Sequence, residues 1–156
     1  MTPLDGAQAI ADYLAEKFKG YVPMDDATKG NGLTIRTGFL PRTTSAAAKK
    51  SGCPAIVVRP LDVTDELDGG STMHIAILVQ TYSGDLDKGH LELYHLLEFI
   101  RQALLSEHII GGVVSLELPL KTTIPAEQAF PVWLGGIEAT YTIGQPQGIL
   151  DALFEK

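Results

Sequence analysis

Along this chain the apolar positions keep two rhythms, and the switch from one to the other marks out the elements. Between residues 3 and 19, Leu4, Ala7, Ile10, Ala11, Leu14 and Phe18 recur at helical spacing. Asp12, Glu16, Lys17 and Lys19 fall on the other faces, and Gly20 offers a stop. An amphipathic helix with one buried stripe is predicted. Turn-forming residues 24–32 (MDDATKGNG) follow, and then a short strand over 33–40, in which Leu33 and Ile35 alternate with Thr34 and Arg36. Residues 41–52, rich in Thr, Ser, Ala and Lys, read equally as a loop or as a brief helical turn. Residues 55–61 form a strand that Pro60 confines to an edge or to the strand's end. The acidic stretch DVTDELDGG (62–70) then reads as the tip of a hairpin. Its second arm, 73–82, is apolar on both faces at its centre, as a central strand requires.

Residues 83–89 are a polar connection, with Asp85 or Asp87 as the cap of a helix over about 88–106. Lys88, Glu92, His95, Glu98, Gln102 and Ser106 make a narrow polar stripe on that helix, and nearly everything else on it is apolar. A helix lying on a sheet needs only a one-sided apolar stripe. The surplus predicts two covers, the N-terminal helix and another subunit. Gly111-Gly112 turns the chain into a strand over 113–118, with Val114, Leu116 and Leu118 inward and Ser115 and Glu117 outward. Residues 119–125, bounded by prolines, read as an extended arm that breaks the sheet.

The segment EQAFPVWLGGIEATYTI (127–143) closes the pattern. Ile137, Ala139, Tyr141 and Ile143 point one way and Glu138, Thr140 and Thr142 the other, so this strand has one buried and one wet face. Gly135-Gly136 reads as a bulge or as a point of close approach by another backbone. Residues 148–156 read as a last helical turn. The result is a single α+β domain over residues 1–156. It has one mixed, mostly antiparallel sheet of four to five strands, helices packed on one face, and the order α-β-β-β-α-β-β. The helix between strands 73–82 and 113–118 implies a right-handed crossover if those strands are parallel neighbours.

Composition narrows the function. At 156 residues, 45% hydrophobic and 20% charged, the chain has the make-up of one globular domain with a real core. Its net charge of -7 repels phosphate backbones, so no sequence-specific nucleic-acid binding is expected. The adjacent pair Lys49-Lys50 reads as solvated surface. No apolar run approaches a membrane span, and the N-terminus lacks the layout of a signal peptide, so a soluble protein made inside the cell is expected. The single Cys53, beside Pro54, reads as a buried structural thiol.

Candidate chemistry fails on spacing. His90 and His95 are five residues apart, about 140° around a helix axis, so they do not converge with Glu92 on a metal. Asp85-x-Asp87 starts like a calcium loop, but His90 and Leu96 stand where glycine and the closing glutamate belong. No serine has a nucleophile-elbow context, no phosphate-binding glycine loop is present, and His74 and His108 read as rim residues. Neither catalysis, metal nor cofactor is expected. Trp133, beside Pro131 and Gly-Gly, reads as a core or interface anchor.

The order of motifs resembles the tail-completion, or tail-terminator, proteins of long-tailed bacteriophages and prophages of Gram-positive bacteria. The carrying pieces are GFLP (38–41), PAIVVRP (54–60), ILVQTYSGD (77–85), LLEFIRQALL (96–105), LELPL (116–120) and EQAFPVWLGG (127–136). The resemblance implies a virion protein, made in the host cytoplasm, that closes into a ring, commonly a hexamer, at the head-proximal end of the tail tube. There it stops tube polymerisation and meets the head connector, and DNA passes through it.

Such a ring needs two unlike matching patches. One is expected on helix 88–106 or its sheet edge (Tyr94, Leu97, Arg101), and the other on the arm 119–135 (Glu127, Phe130, Pro131, Trp133). Asp62, Asp65, Glu66 and Asp68 would line the lumen and repel DNA. The alternatives are a head-tail joining adaptor at another position in the neck and, from a different class, a small-molecule-binding α+β domain.

Overall fold

The computed structural model describes residues 2–40, 45–68 and 70–144, without the side chain of Ala46. The expected tail turn at 148–156 lies outside the described residues. Among the described residues are three α-helices and six strands: α1 (Pro3–Lys17), β1 (Thr34–Thr37), α2 (Ala46–Ser51), β2 (Ala55–Glu66), β3 (Gly70–Tyr82), α3 (Leu91–Ser106), β4 (Ile109–Ile110), β5 (Val114–Thr123) and β6 (Val132–Ile143). They form one mixed sheet in the order β1-β2-β3-β6-β5-β4, parallel between β1 and β2 and antiparallel elsewhere. The α+β class and the single mixed, mostly antiparallel sheet are as the pattern predicts, with one strand more.

The helical stripe of α1 is buried as its spacing requires: Ala7, Ile10, Ala11, Leu14 and the following Phe18 all sit in the core. Thr2 caps its start, its hydroxyl accepting from the Asp5 amide while the Asp5 carboxylate accepts from the Thr2 amide. The Thr2 amide first, and then the Thr2 side chain, hold the Asp5 carboxyl below the usual carboxylate range. The core lies between α1 and α3 on one side and Ile56, Val58, Met73, Ile75, Ile77, Val79, Ile137, Ala139 and Tyr141 of the sheet. β3 alternates buried and half-buried residues along its whole length, which leaves the opposite face of the sheet partly open.

Of the two readings left open for residues 41–52, residues 46–51 take the helical one, capped by the Ser45 hydroxyl, which accepts from the Ala48 amide. Several other expectations are corrected. β2 does not stop at Pro60 but runs on to Glu66, shifting register between Pro60 and Asp62. β1 covers only residues 55–58 of β2, so Pro60 stands where β2 has become an edge. The acidic stretch is therefore mostly strand. β5 likewise continues to Thr123 after a register shift between Glu117 and Lys121, so residues 119–123 are sheet and not an arm. Leu118 lies within that irregular stretch and is 60% exposed, where an inward side chain was expected.

The Gly135-Gly136 pair is no bulge, because β6 keeps continuous register with β3 through it. A Cβ on Gly135 would lie 2.7 Å from Leu97 Cδ1, so α3 packs down onto this glycine. β6 also separates β3 from β5, so those strands are parallel without being neighbours.

Tyr141 is completely buried and its hydroxyl has no hydrogen-bond partner among the described residues. Burial pushes that phenol's pKa up. An unpartnered buried hydroxyl costs more than it contributes. Tyr141→Phe should therefore raise stability by about 1 kcal/mol, read as a higher urea midpoint at unchanged slope. A loss of stability would show that the hydroxyl is satisfied in solution.

Candidate assembly surface

One end of the sheet gathers the end of β3, the start of α3 and the β5–β6 hairpin. Ser83 ties them together. Its amide donates to the Pro131 carbonyl at 2.9 Å, and its own carbonyl accepts from Trp133 Nε1 at 3.2 Å. The turn before α3 is fixed by Asp85, whose Oδ1 accepts from the amides of Asp87 and Lys88. These backbone donors, that of Lys88 first, hold the Asp85 carboxyl below the usual range. The hairpin is pinned by Gln128, which donates to the Pro125 and Leu134 carbonyls and accepts from the Leu134 amide at 2.6 Å. No sequence signal marks Gln128, because its partners are backbone groups brought together by the fold.

On this frame stands an aromatic row. Tyr94 meets His90 edge-on at 5.6 Å between ring centroids, His90 lies 6.2 Å from Trp133, and Trp133 meets Phe130 edge-on at 6.1 Å. Tyr94 and Phe130 are 52% and 45% exposed, and Trp133 is half-buried against the core. The helix and the hairpin, expected to carry two separate patches, thus contribute to one.

The other expected contact residues disperse. Leu97 is only 2% exposed and belongs to the core beneath Gly135. It cannot be a surface contact of this fold. Arg101 is exposed further along α3, with its guanidinium on Glu98 at 2.9 Å. Pro131 is half-buried behind Phe130, and Glu127 is exposed in the hairpin loop. The surplus apolar surface of α3 is covered in part by α1: Phe18 packs on Phe99 at 4.4 Å, and the Tyr13 hydroxyl donates to the Ala103 carbonyl.

The acidic group is at the other end. Asp62, Asp65 and Glu66 lie on the distal half of β2 and Asp68 in the turn beyond, all exposed. Asp62 pairs with His74, and Asp65 accepts from the Ser71 hydroxyl. Cys53 is 1% exposed, its sulfur accepting from Gln80, and burial pushes its thiol pKa up.

Among the described residues no three His, Cys, Asp or Glu side chains converge as metal ligands would, and no helix is long and apolar enough to cross a membrane. The fold and this surface define the class no further than an α+β domain whose most developed surface feature is an aromatic patch. Comparison with protein-family models finds no match, and comparison with curated proteins finds none either.

Proposed function

We propose that the chain is a structural virion protein. Copies of it close into a hexameric ring at the head-proximal end of a phage tail tube, end tube polymerisation and present the surface on which the head connector docks. The observation that carries this reading is the aromatic row Tyr94-His90-Trp133-Phe130, set on a helix and a hairpin whose backbones are locked together through Ser83. Aromatic anchors on rigid elements are what an interface hot spot needs. The order of motifs between Gly38 and Gly136 supports the same reading.

The row supplies one of the two unlike patches of a closed ring. The open face of the sheet offers a second, a hollow of about 190 Å³ lined by Ala76, Leu78, Pro125, Leu134 and Gly136. The acidic end of the β2–β3 hairpin faces the lumen and repels passing DNA, most strongly at low salt. An assembled ring with Asp62, Asp65 and Asp68 on its outer rim would end that part of the proposal.

Particles assembled without this protein should carry tails of abnormal and variable length. Purified protein added to growing tubes should halt them. Tails of normal length in its absence refute the terminator role, and binding to filled heads in place of tubes assigns the chain to a neck adaptor.

A further inference from the structure

Beside the aromatic row lies a groove of about 300 Å³ with Glu92 at its wall. The sequence places Glu92 on the polar stripe of α3, yet the residue is only 4% exposed. Its Oε2 accepts from the Tyr21 hydroxyl and from the Met24 amide, both at 2.6 Å. Its Oε1 is buried and has no hydrogen-bond partner among the described residues. A buried carboxylate oxygen left unpaired carries its full desolvation cost, and a cationic donor is the partner that offsets it best. Asp25, Asp26 and Asp85 line the same groove, with Lys88 as its basic member, and Asp26 is shared with Lys29 at 2.9 Å.

The shape of the site selects the kind of cation. No three acidic side chains converge among the described residues, so a bare divalent ion lacks its ligand set. Met24 and Leu91, 51% and 44% exposed, add apolar surface to the lining. We propose that this groove binds an ammonium or guanidinium group on a short aliphatic stem. The cation donates to Glu92 Oε1, the three aspartates supply the field that draws it in, and the stem lies on Met24 and Leu91. The same chemistry is found in a free organic cation and in a lysine or arginine side chain of a second copy of this chain.

Titration with n-butylguanidinium, followed by thermal unfolding at fixed ionic strength, tests the site. A saturable rise in midpoint in the low-millimolar range is expected, with no such rise for tetramethylammonium, which has the charge but no N–H donor. Glu92→Gln should abolish the response. Asp85→Asn, which keeps the acceptor for the Asp87 and Lys88 amides, should weaken it severalfold and serves if Glu92→Gln does not fold. The proposal is overturned by no saturable response, by an equal response to tetramethylammonium, by a response undiminished in both variants, or by a larger effect of calcium. Sedimentation with and without saturating butylguanidinium then identifies the source. Loss of self-association on adding it means that a second copy fills the groove, and unchanged sedimentation means a free cation.

Discussion

Replacing Gly89 with alanine should destabilise the protein by about 2–3 kcal/mol, the scale of forced overpacking at a rigid site. A Cβ there would lie 2.3 Å from the Asp85 carbonyl oxygen, 3.0 Å from Trp133 Nε1 and 3.1 Å from Ser83 Cβ. The first of these is backbone, and it cannot yield without breaking the turn in which the Gly89 amide donates to that same oxygen at 2.9 Å. The constraint is one of space, since Gly89 does not have positive φ. Gly84→Ala is the control. Nothing lies within 4 Å of a Cβ on Gly84, and its cost should stay below about 0.5 kcal/mol. Urea unfolding at unchanged slope measures both. Equal midpoints would show that the turn before α3 is loose and the aromatic row unanchored.

Trp133→Ala should have the second large effect, in two separable parts. The indole is half-buried against the core and donates to the Ser83 carbonyl. Full burial of tryptophan is worth about 3–5 kcal/mol on truncation, so a half-buried one should cost about 2 kcal/mol. Self-assembly should be lost as well. Tyr94→Ser separates the parts: Tyr94 is 52% exposed, so stability should change by less than about 0.5 kcal/mol while assembly on tube ends weakens. If Tyr94→Ser caps tubes as well as the parent chain, the aromatic row is not the interface.

What the chain discloses in sequence depends on how local the cause is. The alternation Ile137-Ala139-Tyr141-Ile143 announces β6, because each side chain reports its own face of the pleat, and all four are buried as read. α1 and α3 are legible for the same reason at the helical period. The distal half of β2 is not, since neither Pro60 nor the acidic run has strand propensity, and pairing with residues 70–75 of β3 overrides both. β4 has two residues and so no period to detect.

Leu118 is misplaced because it lies inside the register shift between Glu117 and Lys121, where the regular pleat is interrupted, and Leu120, two residues on, packs against the core again. The aromatic row was legible as residues but not as a surface. Tyr94 and Trp133 are 39 positions apart, and the docking of α3 onto Gly135 together with the Ser83 hydrogen bonds brings their elements together. Glu92 fails for a related reason. A solvated stripe and a buried carboxylate look alike until the loop carrying Tyr21 and Met24 folds over one of them.

The position of β6 has a consequence for biosynthesis. Among the described residues it is the latest strand in sequence, yet one of the two innermost in the sheet, pairing with β3 on one side and β5 on the other. Until the ribosome has released residues 132–143, β1-β2-β3 and β4-β5 are two fragments, each with a long apolar edge and no partner. Completion of the sheet thus waits for residues 132–143 to emerge. A stalled chain ending before Val132 exposes both edges to other nascent copies, which makes such truncated products the ones most prone to aggregate during expression.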